Sequence, residues 1–340
     1  MSNVPGTILS RLSQGRRLSR EEARAAVLHI TSGQAAETEI HSLLTHLTWQ
    51  DATVDELTGA ALAMREKVIP LSPGDIEVLD TCGTGGDTRN TFNISTAAAL
   101  IAASCGVKIV KHGNRSASSR AGSADVLEKL GVHLEPSAAK AAECLEVANI
   151  CFAFARAHHP AMKHVAEVRK KFSGPTIFNL LGPLTNPAGA RLHLLGVFNA
   201  GLTHRLACVL RDLGGRRAWV VHAEDGLDEI STIGPTQISE LRDGQVHTWT
   251  LDAREYGLPA AKLGDLQVAD VNEAAAALTS VLAGEAGPRR AIARLNAAAA
   301  MVIAGRCEDL RDGLEMAAEA LDCGRARQTL ADLVRLTNTR

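Results

Sequence analysis

Four stretches of this chain carry residue types that suit the handling of a phosphorylated ligand. Asp80-Thr81-Cys82-Gly83-Thr84-Gly85-Gly86-Asp87 sets three glycines within four residues, where backbone amides can approach an oxyanion closely. Asn93-Ile94-Ser95-Thr96 follows, at the expected start of a helix. A helix start brings orphan N–H donors and the positive end of a dipole, so together the two segments form a phosphate or pyrophosphate cradle. The third glycine follows the second directly, which departs from the G-x-G-x-x-G spacing of a dinucleotide site. Taken alone, the stretch also fits a tight turn, and Ser95 and Thr96 also fit as helix caps.

The second stretch is Lys111-His112-Gly113-Asn114-Arg115-Ser116-Ala117-Ser118-Ser119, with Ser123 just beyond it. Cations, serines and a glycine in nine residues suit a polyanion. The third, Gly226-Leu227-Asp228-Glu229-Ile230-Ser231, offers adjacent acids. Such a pair beside a pyrophosphate calls for a divalent ion between the negative groups, and Mg²⁺ takes a few carboxylates plus phosphate and water. The fourth is His158-His159-Pro160-Ala161-Met162-Lys163 with Arg169 downstream. The two histidines lack further ligands at metal spacing, whereas Arg169 provides a planar fork for a carboxylate or fits a surface arginine paired with Glu167.

The elements that must position these groups change character along the chain. Up to about residue 70 the pattern is helical, with a capping box at Ser19 and Glu22, a second helix over 36–46, and a third from Thr53 to Lys67. Pro70 and Pro73 break it. Strand and helix then alternate: strand 76–79, the glycine-rich loop 83–90, helix 95–105, strand 107–110, and helix 124–130, which Ser123 either caps or precedes as part of the ligand site. Strands near 151–155, 192–198 and 217–222 follow, then a hairpin or meander over 236–251 turning at Asp243-Gly244, and helices from 268 to 337. The fold class is therefore α/β, a small all-helical domain joined to a larger α/β domain with a mostly parallel central sheet. The polar helix 159–171 and the Gly- and Pro-rich 176–187 interrupt the alternation. They fit a segment that leaves the sheet to pack on the N-terminal helices. The expected division is 1–72, completed by about 160–190, against 73–159 and 191–340.

Composition narrows the function. The 340 residues carry a formal charge of −2 and only 3% aromatics, without the basic footprint or stacking platforms of a nucleic-acid binder. The seven cysteines are scattered and form no C-x-x-C pair, as expected of buried thiols in a reducing compartment. No apolar run reaches membrane length and no secretory leader is apparent, so a cytoplasmic protein without nucleic-acid or membrane partners is expected.

In their order along the chain these motifs closely resemble the anthranilate phosphoribosyltransferase family. The resemblance rests on Asp80 to Asp87 with Thr91-Phe92-Asn93-Ile94-Ser95-Thr96, on Lys111 to Arg115, on Ser123-Ala124-Asp125-Val126-Leu127, on His159 to Met162, on Val168-Arg169, on Thr176 to Pro187, and on Asp225 to Ser231. It implies a nucleoside phosphorylase/phosphoribosyltransferase-like two-domain fold, with a homodimer formed through the helical domain. It implies transfer of the phosphoribosyl group of 5-phosphoribosyl 1-pyrophosphate to anthranilate in tryptophan biosynthesis, with Mg²⁺, two per subunit.

Carried onto this sequence, the resemblance places Gly83, Asn114 and Arg169 on anthranilate. It places Gly83, Gly86, Asp87, Thr91, Asn93, Ile94, Ser95, Thr96, Lys111, His112, Gly113, Asn114, Arg115, Ser116, Ala117, Ser118, Ser119 and Ser123 on the sugar donor. Ser95, Asp228 and Glu229 fall on the metal. Catalysis is expected from positioning and electrostatics, with Lys111 and Arg169 foremost. One stretch departs from the family pattern: Phe172-Ser173-Gly174-Pro175 stands where Leu-Gly and an arginine are usual, so Pro175 removes a donor and a charge near the expected hinge. Two rival readings are a pyrimidine nucleoside phosphorylase, whose phosphate loop reads Lys-His-Ser rather than Lys111-His112-Gly113, and a non-catalytic nucleic-acid-binding relative.

Overall fold

The computed structural model describes residues 4–116 and 120–339, so Ala117, Ser118 and Ser119 lie outside the described residues. Four helices open the chain: α1 (Val4–Ser13), α2 (Arg20–Ile30), α3 (Glu37–His46) and α4 (Val54–Lys67). Ser19 caps α2, its hydroxyl accepting the Glu22 amide at 3.2 Å while Glu22 accepts the Ser19 amide at 2.9 Å. Thr53 caps α4 in the same way. Glu56, fully buried on α4, accepts the amides of Thr53 at 2.8 Å and Leu18 at 2.9 Å, which fixes the start of α2 against α4.

Alternation of strand and helix follows as β1 (Leu79–Asp80), α5 (Ile94–Ser104), β2 (Ile109–Gly113), α6 (Ser123–Lys129), α7 (Ala138–Val147) and β3 (Ile150–Phe154). The chain then leaves the sheet through α8 (Ala155–His158), α9 (Lys163–Lys170) and α10 (Ile177–Leu181), with 3₁₀ turns at Pro160–Met162 and Gly182–Leu184. It returns with β4 (Leu192–Gly196), α11 (Leu202–Asp212), β5 (Arg217–Ala223), β6 (Thr236–Arg242) and β7 (Gln245–Leu251). A 3₁₀ turn at Ala253–Tyr256 and the helices α12 (Leu263–Leu266), α13 (Val271–Leu282), α14 (Pro288–Ala304), α15 (Leu310–Asp322) and α16 (Arg325–Asn338) close the chain.

The strands form one sheet in the order β3-β2-β1-β4-β5-β6-β7. The first five run parallel, while β6 and β7 form the expected hairpin, turning through Asp243 and Gly244 at positive φ. Crossovers proceed in one direction from β1 to β2 and β3, and in the other from β4 onward. The β1–β4 boundary is thus a topological switch point, where open α/β sheets receive ligands beyond the carboxyl ends of their strands.

Several boundaries differ from those read in the sequence. The first strand is Leu79–Asp80 rather than 76–79, because pairing is confined to Leu79 with Ile109 and Leu192, and to Asp80 with His193. The second runs two to three residues later than expected, so Lys111, His112 and Gly113 are strand residues, not loop residues. Ser123 does not cap α6: it lies in the first turn behind Gly122, and Asp125 reaches back instead. Helices α7, α8, α10, α11 and α12 are additions, although α7 carries its own signal in Ser137, whose hydroxyl accepts the Lys140 amide at 3.3 Å.

Two cores result. The larger lies between the sheet, α5–α7 and the C-terminal helices. The second gathers α1–α4, α9 and α10, and it continues into Leu195, Val197, α11, Ala218, Val220 and Leu241. One face of the β4–β6 half of the sheet therefore packs on the helical unit. Polar ties join the same surfaces: Arg65 on α4 donates to Leu184 O at 2.9 Å and Leu213 O at 3.1 Å, and Arg20 pairs with Asp212 at 2.6 Å.

Candidate active site

Chain beyond β1 supplies the floor of the site. Asp80 is fully buried and accepts three donors: the His112 amide at 3.0 Å, Asn186 Nδ2 at 2.8 Å and the Cys82 thiol at 3.3 Å. Its carboxyl is held above the usual range by burial, against the pull of Asn186 and Lys111. The glycine-rich turn that follows is seated on β4 and the acidic loop. Gly83 bridges to Gly196, and a Cβ on Gly196 would stand 1.7 Å from Asp228 O, so only glycine permits that approach.

Alternation along β2 sends consecutive side chains to opposite faces. Lys111 turns toward the start of α5, where its buried Nζ donates to Thr81 O at 2.7 Å and to Ser95 Oγ at 3.2 Å. His112 turns toward the returning segment, with Nδ1 3.1 Å from Gly182 O and its ring 5.1 Å from that of His159. Burial lowers both histidines, His112 to about 3 and His159 to about 4, so this pair is neutral at physiological pH.

Helix α5 begins without a side-chain cap at Asn93. Its first turn is taken up otherwise: Glu229 Oε1 accepts the Ser95 amide at 3.1 Å, and Ser95 Oγ faces Lys111. Asn93 Oδ1 and Thr96 Oγ1 are buried without a protein partner. Neither hydroxyl caps the helix: Ser95 Oγ lies against Lys111 and Thr96 Oγ1 has no protein partner.

Asp228 and Glu229 are half-buried, and Asp87, half-buried as well, lies beside Asp228. Burial raises all three carboxyls; Asp87 pushes Asp228 further up, Asp228 does the same to Glu229, and Lys111 opposes the rise of Glu229. Crowded together, the three carboxyls resist ionising at once, and a cation between them would relieve that. Among the described residues no group of three acids, histidines or cysteines is close enough to enclose a metal ion alone. Mg²⁺ does not require that, because it binds through one or two carboxylates with phosphate and water completing the shell. Ser95, Asp228 and Glu229 fit such an ion.

The remaining expected residues divide. Gly86 lies close to Phe198, at 3.7 Å for a built Cβ, and to Pro175 at 4.0 Å, so the departing segment 172–175 packs on the glycine-rich turn. Thr91 pairs with Gln267 on the flank of the site, and Ile94 is buried apolar core that offers only its backbone. Gly113 ends β2, Asn114 opens the loop after it and Ser123 begins α6 beyond it, with the Ala124 amide donating to Asn114 O at 3.2 Å. Ser116 and Arg115 are drawn toward α6: Ser116 N donates to Asp125 at 3.0 Å, and Arg115 pairs with Asp125 and Glu128. Arg169 stands on α9, half-buried over the Phe178 ring and bonded through Nη2 to Asn179 Oδ1 at 2.9 Å, rather than paired with Glu167.

Asp80, Asn179 and Asn186 are not singled out by the sequence. Asp80 is legible as a strand-terminal acid and Asn179 as the third residue of a capping box with Thr176, whereas the bonds of Asn186 to Asp80 and Val110 cross the fold and leave no local signal.

The geometry has a counterpart among known proteins. Residues 7–68 match the glycosyl transferase family, helical bundle domain, and residues 75–327 match the glycosyl transferase family, a/b domain. The chain is 48% identical over 331 residues to the anthranilate phosphoribosyltransferase of Methylobacterium sp. (strain 4-46), covering 97% of this chain and 98% of that one. The chain belongs to the anthranilate phosphoribosyltransferase family. The enzyme of Rhodospirillum rubrum is 48% identical over 327 residues, covering 96% of this chain and 94% of that one.

Among solved structures, that of the family member from Thermus thermophilus superposes with a TM-score of 0.92 at 40% identity, covering 98% of this chain and 99% of that one. The Saccharomyces cerevisiae member in complex with PRPP and Mg superposes at 0.89 and 26% identity, over 99% of this chain and 98% of that one. Family membership makes the chain a phosphoribosyltransferase and sets aside both rival readings. No described helix is long and apolar enough to cross a membrane.

Proposed function

We infer that the site at the switch point transfers the phosphoribosyl group of 5-phosphoribosyl 1-pyrophosphate to anthranilate, giving N-(5-phosphoribosyl)anthranilate and pyrophosphate in the second step of tryptophan biosynthesis from chorismate. The observation that carries this is the cluster of Lys111, Ser95 and Glu229 around the uncapped start of α5, with Asn93 Oδ1 and Thr96 Oγ1 buried and unpartnered beside it.

Breaking the bond at ribose C1 leaves positive charge on the sugar and negative charge on the departing pyrophosphate. The amides of the glycine-rich turn, the start of α5 and Lys111 are placed to meet that negative charge. Ser95, Asp228 and Glu229 would hold Mg²⁺, two ions per subunit, which supplies further neutralisation of the diphosphate. Asp87, Gly86, Thr91, Asn93, Ile94 through its backbone, Thr96, His112, and the loop from Gly113 to Ser119 with Ser123 surround the donor. Gly83 and Asn114 flank the acceptor. Arg169 pairs with the anthranilate carboxylate and aims the amino nitrogen at C1. That nitrogen is neutral at pH 7 and carries its own lone pair, so no strong base is required.

The enzyme works as a cytoplasmic homodimer joined through the helical unit of residues 1–72 and about 160–190, with residues 73–159 and 191–340 forming the donor-binding domain. The deciding experiment mixes protein, Mg²⁺, anthranilate and phosphoribosyl pyrophosphate and follows loss of anthranilate fluorescence. No loss, or phosphorolysis of thymidine instead, overturns the reading.

A further inference from the structure

The loop after β2 departs at Asn114 and rejoins helix at Ser123, and one carboxylate gathers both ends. Asp125 Oδ2 accepts the Ser116 amide at 3.0 Å and the Gly122 amide at 3.1 Å, while Oδ1 accepts Arg115 Nη1 at 3.0 Å. Arg115 extends the clasp to Glu128, through Nη1 at 2.7 Å and Nη2 at 2.8 Å, and lies over the Phe154 ring, 5.7 Å from its centroid. The two limbs touch. A Cβ on Gly122 would stand 2.3 Å from Ser116 N and 2.8 Å from Asn114 O, so any larger residue would part them. Asn93 Nδ2 donates to Ala121 O at 3.2 Å, joining the far limb to the first turn of α5.

We propose that Asp125 is a positioning residue for the phosphoribosyl donor: its carboxylate holds Ser116 and Gly122 together, so that these two limbs and the start of α5 keep one arrangement toward the sugar phosphate. The proposal rests on the reading that the loop after β2 holds the donor. It also gives Arg115 a role other than phosphate contact, since its guanidinium is committed to Asp125 and Glu128.

The sign of the effect separates positioning from charge. A carboxylate near a polyanion repels it, so a purely electrostatic Asp125 would let Asp125→Asn lower the KM for the donor. A clasp predicts the reverse, because asparagine offers one acceptor oxygen to three donors. Expected for Asp125→Asn is a rise of about ten-fold in donor KM, with anthranilate KM within about two-fold. An unchanged or lowered donor KM overturns the proposal.

Tryptic cleavage after the exposed Arg120 reads the loop without activity. It should be several-fold faster in the variant, and donor with Mg²⁺ should protect the parent protein at lower concentration. Equal rates overturn the proposal. If Asp125→Asn does not fold, Glu128→Gln, which touches only Arg115 at the surface, should shift donor KM and cleavage in the same direction by a smaller factor. No shift in either again overturns it. Ser95→Ala, outside the clasp, separates the levels: if it raises donor KM while Asp125→Asn does not, the clasp fails alone; if neither does, the donor-site reading fails with it.

Discussion

Asn186 Nδ2 donates to Asp80 Oδ2 at 2.8 Å and, with its other hydrogen, to Val110 O at 2.8 Å. One amide thus ties the returning segment to both β1 and β2 directly beneath the glycine-rich turn. Asp80 and Asn186 are both buried, so neither loss is made good by water. Asn186→Ala should lower stability by about 1–3 kcal/mol, the cost of leaving a buried acceptor short of a donor. Asn186→Asp should cost more, since it sets a second acid against Asp80. Urea unfolding measures both; a change below about 0.5 kcal/mol for the alanine variant is a surface-like effect and contradicts the tie.

Arg169 is held in place by Asn179. Asn179 Oδ1 accepts Nη2 at 2.9 Å and also the Thr176 amide at 3.0 Å, so the asparagine fixes the guanidinium while its remaining N–H groups stay available. Burial lowers the Arg169 pKa from its ordinary value, yet guanidinium remains charged at any working pH. Arg169→Ala should raise the KM for anthranilate by about ten-fold or more, the worth of a charge-assisted hydrogen bond, and barely move that for the donor. Equal rises in both constants remove Arg169 from the acceptor site.

The acidic loop depends on how closely the glycine-rich turn approaches it. A Cβ on Gly83 would stand 2.7 Å from Asp228 Oδ2 and 3.4 Å from Gly196 O. Gly83→Ala must therefore displace the Asp228 carboxylate, the movable side of that contact. The Mg²⁺ concentration giving half-maximal rate should rise several-fold while the melting temperature changes by only a few degrees. The double variant Asp228→Asn, Glu229→Gln should lose turnover that excess Mg²⁺ restores poorly. Unchanged Mg²⁺ dependence in both would take these acids out of the metal site.

Local chemistry made much of this legible. The capping box at Ser19, the helix start at Thr53, the Asp243-Gly244 turn and the glycine run each act through neighbours in sequence, and each stands in the structure where the residues placed it. Lys111 and His112 were harder. Charged and polar residues at the end of a strand read as loop, because what buries them is the start of α5 on one face and the returning segment on the other. Arg115 illustrates the opposite limit. Its type and position suit a phosphate, and only the fold brings Asp125 and Glu128 to claim its guanidinium. The second core was equally hidden, since nothing local to α11 reveals that its apolar face is shared with α2 and α4.

Three buried histidines give the fold a pH dependence whose sign follows from their environments. Burial depresses His112 to about 3 and His159 to about 4, in each case helped by neighbouring histidines, and depresses His193 to about 4, helped by Arg65. An unfolded histidine titrates near 6.5. Between that value and about 4 the unfolded chain binds more protons than the folded one, so stability rises with pH across the window. The stabilisation from these neutral rings is complete above pH 6.5 and is lost as the pH falls toward 4. Asp80, whose carboxyl is raised by burial, acts in the other direction, which makes the total slope a poor readout. The difference between parent and variant is clean. His193 is buried within β4 and bonded to Ala190 O at 2.9 Å, so His193→Gln keeps a donor there while removing one titration. Urea unfolding at pH 7, 6 and 5 should show the variant losing less stability on acidification than the parent. Parallel pH profiles would mean that His193 carries a proton in the folded protein, contrary to its burial.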